Sequence, residues 1–268
     1  MTVLLCLAQS SAPQGPRPLT KELRIHKFHS EVMSRERSMV VMLPPGYDDA
    51  GETRYPVLYM HDGQSVVINW RLDELARPLF AGKQVEPMIF VAIFNGGTSE
   101  ERFSDYTPTR DSEFAKSGNA DQYGRMIVEE LKPIIDAEYH TLSDPANTGI
   151  GGTSLGGLVS LYLALKYPAK FGKVAVMSPS IWWDKQMIIR EVKRIKQKPP
   201  LKIWLDIGTS EAIQSIDRTK ALRDALIGKG WKSDLDLRYF EAKGGEHDEK
   251  SFARRAPEVL KYLFPAQP

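Results

Sequence analysis

Residues Gly152-Thr153-Ser154-Leu155-Gly156 form a G-x-S-x-G pattern, and the residues around it constrain the fold more than the pattern does. The segment before it, Asn147-Thr148-Gly149-Ile150-Gly151, is short and glycine-rich, as a buried strand between close neighbours would be. After it, Leu158, Leu161, Leu163, Ala164 and Leu165 recur at helical spacing until Tyr167-Pro168 ends the run. A serine on so sharp a strand-to-helix turn sits in a strained φ/ψ region. The positions two residues either side must then lack bulk, which Gly152 and Gly156 provide. A helix starting at the serine aims its first N–H groups and its dipole at the space where a negative oxygen would form. Ser154 is therefore expected to be a nucleophile. The alternative is a tight glycine turn with no chemistry.

The rest of the chain supplies the frame such a turn needs. Residues 23–33 and 37–43 read as two strands forming an antiparallel pair at a sheet edge, the second ended by Pro44-Pro45-Gly46. From residue 55 onward apolar strands alternate with helical patterns. Strands are expected at 55–60, 88–94, 173–177, 201–207 and 235–240, and helices at 72–80, 122–139, 187–198, 217–229 and 252–264. The alternation predicts an α/β fold: a mostly parallel, doubly wound sheet with an antiparallel N-terminal edge and helices on both faces. Residues 98–119 show no such pattern and are expected to be a polar loop, long enough to suggest a function or structure not legible in the sequence.

With 268 residues, 42% hydrophobic and 26% charged, the chain can bury one large core, so a single domain over residues 21–268 is expected after a Pro-rich leader, 1–20. A formal net charge of +2 gives no electrostatic case for nucleic acid, and the basic run from Arg190 to Lys198 reads as a solvated helix face. No apolar stretch is long enough to span a bilayer. Cys6 is the only cysteine, which excludes an internal disulfide and a Cys/His metal site; no metal or cofactor is expected. Residues 1–12 read either as the end of a secretory hydrophobic segment, tilting the expected location towards export, or as an unstructured leader.

A serine hydroxyl needs a base, and the candidates are His26, His29, His61, His140 and His247. His26 and His29 lie in the first strand and His140 ends a helix. Only His61 and His247 follow strands at the carboxyl edge, where open α/β sheets place their sites. His247 comes after the serine behind a Gly-Gly turn and is the expected general base, whereas His61 is expected to prop the turn it precedes. The acid should lie between Ser154 and His247 at a strand end. Glu211, in Gly208-Thr209-Ser210-Glu211, is favoured over Asp206, whose place inside an apolar strand suggests a structural hydrogen bond. The N–H of Leu155 and that of Gln64, or else Gly63, are expected to bind the oxyanion. Trp182 and Trp183 are candidates to stack on a sugar or aromatic ring, or to pack their loop, and Arg102 to bind an anion or form an ordinary surface salt bridge.

The segments 59–64, 152–157, 178–183, 208–211 and 245–248, in this order, resemble the esterase family of α/β-hydrolases. That family includes enterochelin esterases, feruloyl and acetyl-xylan esterases, S-formylglutathione hydrolase and mycolyltransferases. The resemblance spans nearly the whole chain, from residue 23 to 264. It implies a cofactor-free serine esterase, supports Gln64 as oxyanion donor and allows a glutamate as the acid. It leaves the substrate open: an acyl or phenolic ester of a carbohydrate is expected, with a siderophore ester, acyl transfer to another alcohol, or a non-catalytic binding module as alternatives. The siderophore reading calls for a basic pocket, to which Arg102 or Arg110 would contribute. The cysteine near the active site associated with S-formylglutathione hydrolase is absent from this chain, which sets that member aside.

Overall fold

Eight strands form one sheet in the order β1-β2-β4-β3-β5-β6-β7-β8 in the computed structural model, which describes residues 21–266 apart from 113 and 115. The reading of residues 1–12 lies outside the described residues. β1 (Leu23–Ser30) and β2 (Arg35–Met42) are antiparallel, and β2 meets β4 antiparallel as well. β3 (Val57–Met60), β4 (Ile89–Ile93), β5 (Thr148–Thr153), β6 (Lys173–Met177), β7 (Lys202–Gly208) and β8 (Leu237–Ala242) are parallel, as the alternation predicts.

Alternate residues of the central strands point to opposite faces, and both faces are covered. Val57 and Tyr59 of β3 and Ile89, Val91 and Ile93 of β4 join one core, while Leu58, Met60, Phe90 and Ala92 join the other. The first core is closed by α4 (Ala120–Arg125), α5 (Lys132–Glu138), α6 (Leu155–Lys166), α7 (Trp183–Arg194) and α8 (Ile213–Gly228). The second is closed by α2 (Leu72–Ala81) and α9 (Glu249–Leu263). A wide-turn segment, Met126–Leu131, joins α4 to α5, so the helix expected over 122–139 is one run with a local change of pitch. In α7 the backbone is left-handed at Asp184, Lys185 and Gln186, so its regular part begins near Met187.

The stretch 98–119, expected as a loop, contains α3 (Ser99–Tyr106). Thr98 caps it by accepting a hydrogen bond from the Glu101 N–H at 3.2 Å. Its apolar contribution is short, Phe103 and Tyr106 packing on the core, and ion pairs add to it. Asp105 is buried between Arg35 and Arg37 of β2, with Arg37 Nη1 2.8 Å from its Oδ2. On α3, Tyr106 is wholly buried.

The strand order reverses direction at β3: the chain steps out to β4 on one side, then returns to β5 on the other. In doubly wound sheets this switch opens a crevice at the carboxyl ends of the strands. The turn after β3 and the turn after β5 face each other there, Met60 being paired with Gly151.

Candidate active site

Ser154 stands between β5 and α6 with φ 57° and ψ −121°, the strained position expected from the sequence. The close approach explains the glycine two residues earlier. A Cβ on Gly152 would lie 3.0–3.1 Å from the backbone of Gly156. The backbone of Ser154 is tied to the next strand, its N–H donating to Met177 O at 3.0 Å and its carbonyl accepting from Ser180 N at 3.0 Å. Its hydroxyl shares a 3.0 Å hydrogen bond with Ser180 Oγ.

His247 and Glu211 meet beside it. His247 Nδ1 is 2.7 Å from Glu211 Oε2. Glu211 Oε1 accepts from Gly208 N at 2.9 Å and from Ser178 Oγ at 2.5 Å. Burial alone would raise this carboxyl, but the hydrogen bonds from His247, Ser178 and Gly208 outweigh burial and hold it below the ordinary value. The turn carrying Glu211 and the turn leading to His247 touch directly. A Cβ on Gly208 would fall 2.2 Å from Gly245 O, so only glycine permits that contact.

Asp206, the rival acid, is elsewhere. It is wholly buried, and its oxygens are taken by Arg255 Nη1 at 2.5 Å, Trp204 Nε1 at 2.8 Å and Ser178 N at 3.1 Å. Burial pushes its pKa up to about 6 against the pull of Arg255.

Leu155 is the first residue of α6, and Gln64 is the second of the short α1 (Gly63–Ser65). First-turn N–H groups have no partner within their own helix, which leaves the N–H groups of both residues without a helical acceptor. The Gln64 side chain is occupied: it donates to Asn95 Oδ1 at 2.9 Å and accepts from Asn95 N at 3.2 Å. α3 supports the same turn, since Asp62 N–H donates to Tyr106 Oη at 3.0 Å. His61 lies beneath it, buried, with Nδ1 2.8 Å from Tyr123 Oη; burial pushes its pKa down to about 3.

Ser154 and His247 line two hollows of one cleft. The first, about 220 Å³, is formed with Ser178, Pro179, Ser180, Trp182 and Glu211, among others. The second, about 430 Å³, is formed with Asp62, Gln64, Asn95, Arg102, Asp248 and Glu249, among others. Trp182 borders the first hollow and is 40% exposed, whereas Trp183 is 0% exposed, packed on Phe103 and Phe114 with Nε1 donating to Thr109 Oγ1 at 3.1 Å. Trp183 therefore packs its loop, and Trp182 is the tryptophan whose side chain reaches the hollow. Arg102 grips Asp62 with two 2.8 Å hydrogen bonds, and Arg110 lines neither hollow. Among the described residues no group of three or more His, Cys, Asp or Glu side chains is placed to hold a metal ion, and no helix is long and apolar enough to cross a membrane.

Sequence reasoning did not assign Ser178, Ser180 and Arg255. The first two were legible as polar residues closing an apolar strand at the site's edge. Arg255 was recognisable only by its helical spacing from Phe252, Ala256 and Val259, all buried on the inner face of α9.

The fold is that of an α/β-hydrolase. The solved structure of BES protein from Bacillus cereus superposes with a TM-score of 0.77, covering 95% of this chain and 99% of that one, at 22% identity. The chain belongs to the family described as Putative esterase, whose model matches residues 30–261. It is 29% identical to uncharacterized protein YbbA of Bacillus subtilis over 88% of this chain and 95% of that protein. It is 32% identical to the ferri-bacillibactin esterase BesA of Bacillus subtilis over 59% of this chain and 60% of that protein. It is also 24% identical to the endo-1,4-beta-xylanase/feruloyl esterase of Xylanibacter ruminicola, over 88% of this chain but 30% of that protein.

Proposed function

We propose that the protein is a serine carboxylic-ester hydrolase that works through an acyl-enzyme on Ser154, with His247 as base and then acid, and Glu211 as the group that orients it. The observation that carries the reading is the 2.7 Å contact of His247 Nδ1 with Glu211 Oε2, in the same cleft as a serine on a strained strand-to-helix turn. With Nδ1–H donating to the carboxylate, Nε2 keeps a lone pair for the serine proton. As an ester enters, the Ser154 hydroxyl turns from Ser180 towards His247, and Oγ attacks the carbonyl carbon while its proton passes to Nε2. The carbonyl oxygen becomes an oxyanion that receives the N–H groups of Leu155 and Gln64. The bond to the alcohol then breaks, His247 returns the proton to the departing oxygen, and the acyl group stays on Oγ. Water repeats the sequence, releasing the acid and restoring Ser154. Acyl transfer to another alcohol differs only in what takes the place of water.

The substrate class assigned is an acyl or phenolic ester of a neutral, hydroxyl-rich alcohol such as a carbohydrate. An exposed aromatic face, Trp182, borders one hollow. The other presents three carboxylates, Asp62, Asp248 and Glu249, against one guanidinium that Asp62 already pairs. Each carboxylate already accepts a hydrogen bond, Glu249 from Ser65 Oγ and Trp70 Nε1 and Asp248 from Ser251 N. Three carboxylates against one guanidinium nevertheless leave the lining formally negative, which favours a neutral substrate over an anionic one. The siderophore reading, in which a basic pocket receives catecholates, thereby loses Arg102, and it gains nothing from Arg110. The test compares kcat/KM for a feruloyl or acetyl sugar ester with that for the same acyl group on a carboxylate-bearing alcohol. A preference of at least about tenfold for the neutral ester is expected; equal or better turnover of the anionic one overturns the assignment.

A further inference from the structure

We infer that Ser178 and Arg255 are positioning residues for the Glu211–His247 pair, an inference that rests on the reading of that pair as the orienting acid and the base. It begins with backbone. Ser178 is the first residue after β6 and has φ 39°, a conformation that L side chains other than Asn and Asp rarely adopt. Its N–H donates to both Asp206 O, at 3.0 Å, and Asp206 Oδ1, at 3.1 Å, so the end of β7 fixes it.

The hydroxyl is fixed as well. Arg255 Nη2 lies 3.0 Å from Ser178 Oγ, and a guanidinium only donates. Ser178 Oγ must accept that bond, which leaves its own proton for the other neighbour, Glu211 Oε1 at 2.5 Å. An ionised carboxylate only accepts, so the direction of each link is determined. Arg255 is held in turn by Asp206 Oδ1 at 2.5 Å, and Asp206 Oδ2 by Trp204 Nε1 at 2.8 Å. Arg255 is 3% exposed and Asp206 is wholly buried, so bulk water does not compete for these donors.

The consequence falls on Glu211. Ser178 and the Gly208 N–H fill Oε1, leaving Oε2 to His247, so the carboxylate has one orientation and the imidazole one tautomer. The same short segment reaches the nucleophile through Ser180, which bonds Ser154 by both backbone and hydroxyl. Removing the Ser178 hydroxyl takes a donor from the carboxylate, which then concentrates its charge on His247 and binds the imidazolium more tightly. The acidic limb of the rate profile is then expected to move to higher pH.

The experiment measures kcat, KM and the pH dependence of kcat/KM with p-nitrophenyl acetate for wild type, Ser178→Ala, Arg255→Lys and Glu211→Gln, each checked for folding by circular dichroism. Ser178→Ala is expected to lower kcat about tenfold with KM within about twofold, and to move the acidic limb upward. Arg255→Lys keeps a cation against Asp206 but loses the forked donor, and is expected to move the limb in the same direction by less. Glu211→Gln is expected to lose activity far more severely. If Glu211→Gln is inactive while Ser178→Ala keeps the wild-type kcat and limb, the positioning role is refuted. If Glu211→Gln itself behaves as wild type, the reading of the acid fails and the inference falls with it.

Discussion

Glu211 and Asp206 are five residues apart in sequence, both at the carboxyl end of the sheet and both bonded to Ser178, yet their replacement is predicted to have opposite consequences. In Glu211→Gln the side chain keeps its length but presents a neutral amide to His247 Nδ1, 2.7 Å away. An amide N–H aimed at Nδ1 stabilises the tautomer with its proton on Nε2, the atom that must accept from Ser154. A neutralised acid in an analogous triad lowers kcat by about 10⁴-fold, and a fall of that order is expected. Stability should change little, because the Glu211 carboxyl gives up its hydrogen bonds from Ser178 and Gly208 only in part. In Asp206→Asn the defect is in the fold. The variant leaves Arg255, 3% exposed, without a counter-charge. Breaking a buried pair from one side costs about 3–5 kcal/mol, to be seen as a lower urea midpoint, while kcat per folded molecule stays within about tenfold of wild type. Stopped-time p-nitrophenyl acetate assays and urea unfolding followed by fluorescence measure the two quantities on the same preparations. A stable, inactive Asp206→Asn beside an active Glu211→Gln would refute the assignment.

Further outcomes follow from the same geometry. His61 titrates at about 3 when folded because burial opposes its charge, against an ordinary 6.5. The unfolded chain therefore binds more protons between these values, and stability falls as pH drops through that window. From pH 6 to pH 4 this group alone removes roughly 2–3 kcal/mol, and His61→Gln should flatten that part of the stability–pH curve. Trp183→Ala, emptying a fully buried site, should cost about 3–5 kcal/mol, whereas Trp182→Ala should leave the melting temperature nearly unchanged and raise KM for aromatic acyl esters. Gly208→Ala, whose Cβ would meet Gly245 O at 2.2 Å, should separate the acid from the histidine and lower kcat by about 10²-fold or more.

The legible parts of this protein were those encoded by local pattern. Periodicity marked strand and helix cores, and Lys173–Met177 has the bounds read from its apolar run. The Ser154 turn announced itself because strain, flanking glycines and an N-terminal helix dipole all require particular residue types within five positions. The proposed order Ser, Glu, His was read from strand ends, and His247 and Glu211 do meet, with Nδ1 2.7 Å from Oε2. Other parts depended on contacts distant in sequence. α3 is held by arginines of β2 some 68 residues away as well as by only two apolar side chains, Phe103 and Tyr106, so its charge-rich sequence looked like a loop. Beyond its helical spacing, nothing local singled out Arg255, because its partners Asp206 and Ser178 are 49 and 77 residues distant. The difference between Trp182 and Trp183 likewise depended on Phe103, Phe114 and Thr109, which lie in the stretch whose structure the sequence did not disclose.

The central claim is that Ser154 carries the acyl group, and the direct measurement is the intact mass of the protein quenched in acid within milliseconds of mixing with a p-nitrophenyl ester. The account predicts a transient mass increase equal to the acyl group, mapped by peptide fragmentation to Ser154 and absent in Ser154→Ala together with turnover. Full turnover by folded Ser154→Ala, or an adduct on another residue that accounts for turnover, would contradict it.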